Sequence, residues 1–355
     1  MKFRFALAGI FAAIFLGGAA HAQTGNGFPL LPPVPHTGQL QNQPNVTHFW
    51  FIAAGDNRPA AAGLPQPRTP SQIFKDAQRF KPAFFLWSGD IVYGHEVHRK
   101  KLQEQYKEFF GIAQLGKVPV FNSPGNHEMD TMQRTASGKV ETPDAQLQAL
   151  YLEFLKFPAN APPYGAFDYG NSRFLAVDTE EVASASPTPT PSPTAGSSNG
   201  RTVTLDPGCV SQLQFDLLSQ DLEANQARAH IFVFMHHPIM PARSSSALNP
   251  PNATALQALF KKYPNVSYVI AAHEHLYYNA TGATLAPSDR QDPSAQGPSY
   301  LVSGGAGAPL DNCPGGAGSN CGSFNHYLAF EVDQATVKVQ VIQVPSSTEE
   351  KAQSE

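Results

Sequence analysis

Apolar runs and helical spacings take turns along this chain, and that alternation narrows its architecture more than any other property. His48 to Ala54 reads as a strand ending at Gly55-Asp56. Thr69-Pro70 reads as an N-cap with proline at the first helical position, and Ile73, Phe74, Ala77 and Phe80 then recur at helical spacing. Ala83 to Trp87 is the next strand, a helix bearing Leu102, Tyr106, Phe109 and Phe110 follows, and Val118 to Phe121 completes the series. Parallel strands need a crossover that returns the chain to the same end of the sheet, and this order supplies two.

The second half continues in the same manner. Phe167 to Asp178 reads as a hairpin turning at Gly170-Asn171, and Val210 to Ala224 as a helix with Leu213, Leu217 and Leu218 inward. Ile231 to Met235, Val266 to Ala271, Tyr300 to Ser303, Tyr327 to Val332 and Val337 to Val344 read as strands, with a helix over Thr254 to Tyr263. Two packed mixed sheets with helices outside use all of these elements, which makes the expected class α/β.

The flanks carry no such pattern. Met1-Lys-Phe-Arg4 is basic, Phe5 to Leu16 is apolar and Ala20-His21-Ala22 is small, so residues 1–22 read as a cleaved secretory signal. The periplasm or the extracellular space is the expected destination, with a retained anchor as the alternative. No stretch reaches the roughly 20 apolar residues of a membrane span, so none is expected. Residues 23–45 read as an extended lead-in, 46–345 as one catalytic domain and 346–355 as a polar tail. Residues 184–200, with their Pro-Thr-Pro-Thr-Pro run, read as a disordered insertion within the domain. A net charge of −4 without a basic run argues against a nucleic-acid backbone as partner. Three cysteines are too few for a disulfide scaffold. Cys313 and Cys321 enclose a glycine-rich loop and are the expected pair on loop-closure grounds, leaving Cys209 over.

Five polar segments follow apolar runs: Gly55-Asp56, Gly89-Asp90-Ile-Val-Tyr93, Gly125-Asn126-His127-Glu128, His236-His237-Pro238 and His273-Glu274-His275. In open α/β sheets, ligands sit beyond the carboxyl ends of the strands, where all five fall. Oxygen and imidazole donors delivered from several strand ends can bracket a pair of metal ions, and such a pair suits hydrolysis of a phosphate ester.

This series resembles the calcineurin-like metallophosphoesterase superfamily over about Val46 to Val344, and Asp90-Ile-Val-Tyr93 resembles the variant found in purple acid phosphatases. Gly125-Asn126-His127-Glu128 is its most specific element. The resemblance implies a four-layer α-β-β-α sandwich of two mixed β-sheets flanked by helices. It also implies two metal ions: Asp90 bridging both, Asp56, Tyr93 and His275 on the first, and Asn126, His236 and His273 on the second. Two cations at close range need shared negative charge between them, which is the part Asp90 would play. The implied enzyme is an exported phosphatase acting on small phosphate monoesters by in-line attack of a metal-bridging hydroxide. His127 would protonate the leaving alkoxide and Glu128 would orient its loop. The preferred filling is Fe(III) with a divalent ion (Zn, Fe or Mn), whose extra charge a tyrosinate would balance, and two divalent ions are the alternative.

Several residues keep two readings. Tyr93 is a ligand or a packed rim residue, and His127 a proton donor or a helix-start residue. Arg58 stands where many relatives place a histidine ligand; it cannot coordinate, and it either clamps a phosphate oxygen or forms a surface ion pair. Ala272 replaces the usual glycine before His-x-His. His237 and His326 are candidate substrate contacts, whereas His95 and His98 read better as a solvated helix start. The glycines at 304, 305 and 307 suit close backbone packing near the site. Two other functions share these residues: a phosphodiesterase or nucleotidase with the same site, and a non-catalytic, metal-stabilised binding protein.

Overall fold

The computed structural model describes residues 31–41, 43–94, 99–135, 138–181, 195–198, 201–204, 208–282, 288–289, 297–318 and 320–345. The expected signal, the polar tail, His95 and His98 lie outside the described residues.

Two seven-stranded mixed sheets form the centre. In order across the first run β1 (His36–Thr37), β4 (Val120–Ser123), β3 (Phe85–Ser88), β2 (His48–Ala54), β17 (His326–Asp333), β18 (Thr336–Gln343) and β14 (Ser288–Asp289). Across the second run β16 (Cys321–Gly322), β13 (Tyr277–Asn279), β15 (Ser299–Ser303), β12 (Val266–Ala271), β11 (His230–Phe234), β8 (Ser172–Ala176) and β7 (Gly165–Tyr169). The β2-β3-β4 trio is parallel, as is the β8-β11-β12-β15 quartet, so the polar segments after β2, β3, β4, β11 and β12 emerge at matching strand ends.

Period-two alternation fixes the layers. Phe49, Phe51 and Ala53 of β2 turn toward the other sheet, where they meet Phe174 and Phe232, with Phe330 of the neighbouring β17 beside Phe51; Ile52 and Ala54 turn the other way. The rings between the sheets lie close, with Phe51 4.7 Å from Phe330 and 4.9 Å from Phe232. Outside the first sheet, helices α1 (Arg68–Asp76), α2 (Arg99–Ala113) and α4 (Ala145–Phe154) bury Phe74, Phe109 and Tyr151 against Phe85 and Trp87. Outside the second, α5 (Gln212–Ala224) and α6 (Pro250–Lys262) bury Leu218, Leu222, Leu256 and Phe260 against Ile231, Val233 and Val269. The four-layer α-β-β-α sandwich is therefore what the chain adopts. No described helix is long and apolar enough to cross a membrane.

Some local expectations shift. Helix α1 starts at Arg68 after Pro67, so Thr69 lies inside the first turn and is not the cap. Pro70 is tolerated there because first-turn N–H groups have no helical partner to lose. Leu213 is not inward: it is 65% exposed. Gln214 takes the inward direction instead, accepting the Asp178 N–H and donating to the Asp178 carbonyl, each at 2.9 Å. A four-stranded sheet of β5 (Asp130–Thr135), β6 (Gly138–Pro143), β10 (Arg201–Thr204) and β9 (Ala195–Ser198) follows the short α3 turn (Asn126–Met129) and has no counterpart in the sequence reading. Within the span read as disordered, 195–198 is thus a strand, paired antiparallel with β10; the rest of 184–200 lies outside the described residues. In the lead-in, β1 pairs with β4, and Pro33 bridges to Ala166 at the edge of the other sheet. Cys313 and Cys321 are joined by a disulfide, and Cys209 is free and buried.

Candidate metal centre

Asp56 and Asp90 each stand one glycine beyond the ends of β2 and β3, and both adopt the left-handed backbone region, with φ of 62° and 54°. His273, after β12, has φ of 68°. That region is costly for residues with a Cβ, so the chain holds three such turns at one place. Two backbone bonds and one to a side chain lock them together: Asp56 N–H donates to the Gly89 carbonyl, Asn57 N–H to the Asp90 carbonyl and His273 N–H to the Asp56 carboxylate Oδ2 at 2.8 Å.

Two groups of donors result. In the first, one ligand-capable atom each from Asp56, Asp90 and His275 lie within 4.8 Å of one another, all three residues being buried. Asp56 Oδ1 is buried with no hydrogen-bond partner and lies 3.7 Å from His275 Nε2. His275 Nδ1 donates to the Pro309 carbonyl at 2.7 Å, which leaves the Nε2 lone pair facing Asp56. In the second group, His236 Nδ1 donates to the Ser88 carbonyl at 2.8 Å, which turns the Nε2 lone pair inward. That atom lies 3.0 Å from Asn126 Oδ1, 3.2 Å from His273 Nδ1 and 3.3 Å from Asp90 Oδ1. Two ring nitrogens and two oxygens that converge with so few protons between them suit a cation.

The electrostatics agree. Burial, with Asp90 beside it, raises the Asp56 carboxyl well above the usual range. Burial lowers His236; burial and the neighbouring imidazoles hold His273 well below the ordinary value, and burial followed by Arg58 takes His275 down to about 4. Acids that resist ionising and imidazoles that stay neutral are what a cation relieves and uses, respectively. The donor set therefore fits metal ions.

Glu128 frames both groups. Its two oxygens accept the N–H groups of Asp90, Ile91, Val92 and Gly125 at 2.7–3.1 Å, while burial and Asp90 push its acid form up to about 8. His127 donates from Nδ1 to the Tyr93 carbonyl, and its Nε2 is 3.7 Å from Asp90 Oδ2. Arg58 Nε lies 3.3 Å from that same oxygen. Its ion pair is therefore with Asp90 inside the site and not at the surface. Gly55 faces Ala272 so closely that a Cβ there would lie 2.8 Å from the alanine methyl, so Gly55 makes the room that Ala272 takes.

Other expected members sit differently. The Tyr93 ring is half-buried, 6.0 Å from the His127 ring, and its backbone is held by Gln105 and His127. Among the described residues no hydrogen bond engages its hydroxyl. The His237 ring lies tilted 4.1 Å from the His273 ring and gives Nδ1 to Glu180 at 2.7 Å; burial opposes its protonation, but Glu180 reverses the sign and raises it. His326 is not a substrate contact: it is fully buried, with Nδ1 on the Phe324 carbonyl and Nε2 3.1 Å from the Ser303 hydroxyl, so both ring nitrogens are committed inside the fold. Arg58, Tyr93 and His273 are the half-exposed members and mark the open side.

Sequence reasoning missed the supports. Asp311 accepts the His275 N–H at 2.9 Å and pairs with both terminal nitrogens of Arg243. Glu274, between the two histidines, accepts the N–H groups of Ala242 and Arg243, each at 2.7 Å. Its flanking histidines were the one signal that could have found it.

A sandwich that gathers carboxylate, amide and imidazole donors from both sheets at one edge is built for bound cations. The chain belongs to the calcineurin-like phosphoesterase family, whose profile matches residues 47–277. Solved structures with a similar fold include a purple acid phosphatase from yellow lupin (Lupinus luteus) seeds, at 15% identity and a TM-score of 0.59 over 88% of this chain. This chain spans about half of that one, 53%. A dimetal phosphatase from Danio rerio matches at 15% identity and a TM-score of 0.56 over 83% of this chain and 96% of its own. GAP50, the anchor in the inner membrane complex of Plasmodium, matches at 12% and 0.50, over 87% and 96%. A comparison with curated proteins finds no match.

Proposed function

We propose that this chain is an exported phosphatase that hydrolyses small phosphate monoesters at a two-metal centre. The observation that carries the reading is the double-facing carboxylate of Asp90. Its Oδ1 looks toward His236, and its Oδ2 toward Arg58 and His127. Asp56, Asp90, Tyr93 and His275 would hold one ion, and Asp90, Asn126, His236 and His273 the other. When bound, such ions acidify a water and withdraw charge from the phosphate. Fe(III) with a divalent ion is the preferred filling, and two divalent ions also suit the donors.

The remaining residues handle the substrate. Arg58, on the open side, offers a fixed cation to a nonbridging oxygen. With Nδ1 held by the Tyr93 carbonyl, His127 takes up a proton at Nε2 and hands it to the leaving alkoxide. His237, held by Glu180, adds positive charge behind His273. Export rests on the leader-like residues 1–22, and the Cys313–Cys321 disulfide supports it.

Asp90→Asn and His127→Ala test the assignment. Both should lose most turnover, with metal content falling mainly in the first. Full turnover in His127→Ala would remove its proton role. Turnover of an aryl phosphate against its bis-aryl ester tests the substrate class, since a diester preference would favour the phosphodiesterase reading. The likeness to a protein described as an anchor favours the non-catalytic reading. That reading would stand if the metal-loaded chain turned over neither ester.

A further inference from the structure

The hairpin of β5 and β6 leaves the α3 turn and folds back over it, placing an acid beside Asn126 that none of the five polar segments contains. Asp130 pairs with Pro143 and Met132 with Glu141, and the Asp144 N–H donates to the Met129 carbonyl at 2.8 Å. The hairpin base is thereby tied to the turn. Glu141 is 6% exposed, and its Oε1 accepts from Asn126 Nδ2 at 3.4 Å. The opposite end of that amide, Oδ1, is 3.0 Å from His236 Nε2, the atom on which Asp90 and His273 also converge.

A primary amide has an acceptor at one end and donors at the other, and only the acceptor end can face a cation. A carboxylate accepts hydrogen bonds without offering one in return. Glu141 therefore satisfies the NH2 end alone and leaves the oxygen turned toward the donor cluster. An apolar residue at 141 would remove that discrimination, and the amide could then settle either way round. We propose that Glu141 is a positioning residue that holds the Asn126 amide oxygen-inward and so sets the affinity of the second ion position without itself being a ligand. The inference rests on the two-metal reading above.

The test uses the full chain, stripped of metal and titrated with Zn(II), with binding followed by calorimetry and stoichiometry by elemental analysis. Glu141→Leu should weaken the second binding step about 10- to 100-fold, the range usual for loss of an outer partner, and leave the first unchanged. The first group, Asp56 and His275, is held by other contacts. Glu141→Gln keeps an acceptor for the same N–H but adds an NH2 that can face the amide oxygen, so it should recover the second step only in part, between the parent and the leucine variant. Glu141→Met, close in shape to the glutamine variant, takes the place of the leucine chain if that one fails to fold. A second step as tight in the apolar variant as in the parent overturns the proposal, and so does equal weakening of both steps. A parent chain that never takes up a second ion overturns the two-metal reading and this inference with it.

Discussion

Glu128 Oε2 accepts the backbone N–H of Asp90 at 2.8 Å and that of Gly125 at 2.9 Å, while Oε1 holds Ile91 and Val92. One side chain thus sets the loops after β3 and β4 in a common frame. Glu128→Ala strands four buried N–H groups and should destabilise the metal-free protein by more than about 3 kcal/mol. Glu128→Gln should cost less but still measurably, because its NH2 end faces donors. Denaturant unfolding checks both, and an alanine variant within about 0.5 kcal/mol of the parent would mean the loops hold themselves.

Arg58, two residues beyond Asp56, reaches Asp90 from the open side of the site. A charged hydrogen bond to substrate contributes roughly 1.5–3 kcal/mol, so Arg58→Ala should raise KM for an aryl phosphate about tenfold or more with metal content unchanged. Arg58→Lys should recover only part, lacking the planar fork. An unchanged KM with poorer metal retention would instead assign Arg58 to steadying Asp90.

Tyr93 has a hydroxyl with no hydrogen bond among the described residues and a half-exposed ring on the open side. If it ligates Fe(III) as tyrosinate, the purified protein absorbs in the visible and Tyr93→Phe bleaches it. A colourless parent with full activity would take Tyr93 off the ligand set.

His326 gives a pH dependence independent of metal. Burial holds its imidazole down at about 4, whereas the unfolded chain protonates near the usual 6.5. Below pH 6.5 the unfolded state binds the extra proton, so stability falls as pH drops and the loss is complete below about pH 4; above 6.5 the residue contributes no slope. The total is about 3 kcal/mol. His326→Gln should start less stable at pH 7 but lose about 2 kcal/mol less on going to pH 4.5, measured by denaturant midpoints. Parallel losses in both proteins would refute the assignment.

The sheets and their outer helices were legible because apolar runs and helical spacings alternate along the chain, and β2 and β12 begin and end where the apolar runs do. Which face Phe51 and Ile52 take was not, since both are apolar and only the packing sorts them. The site was legible where chemistry and chain position coincide, as for Asp56, Asp90, Asn126, His236, His273 and His275. Glu141 was not, since a strand acid 15 residues beyond its amide partner carries no spacing signal. His326 misled for the opposite reason: its place after the 304–307 glycines was visible, but the direction of its ring depends on Ser303 and Phe324. Leu213 failed because Gln214 outbid it for the inward face through two hydrogen bonds that no hydrophobic pattern records.

The left-handed turns at Asp56, Asp90 and His273 set stability against activity at the same three peptide units. Each costs about 1 kcal/mol relative to a glycine in that conformation. A chain with glycine at these points would fold more readily and have no ligands to offer there. Selection for heat tolerance without a turnover requirement is therefore expected to converge on these turns, yielding sturdier proteins that do nothing.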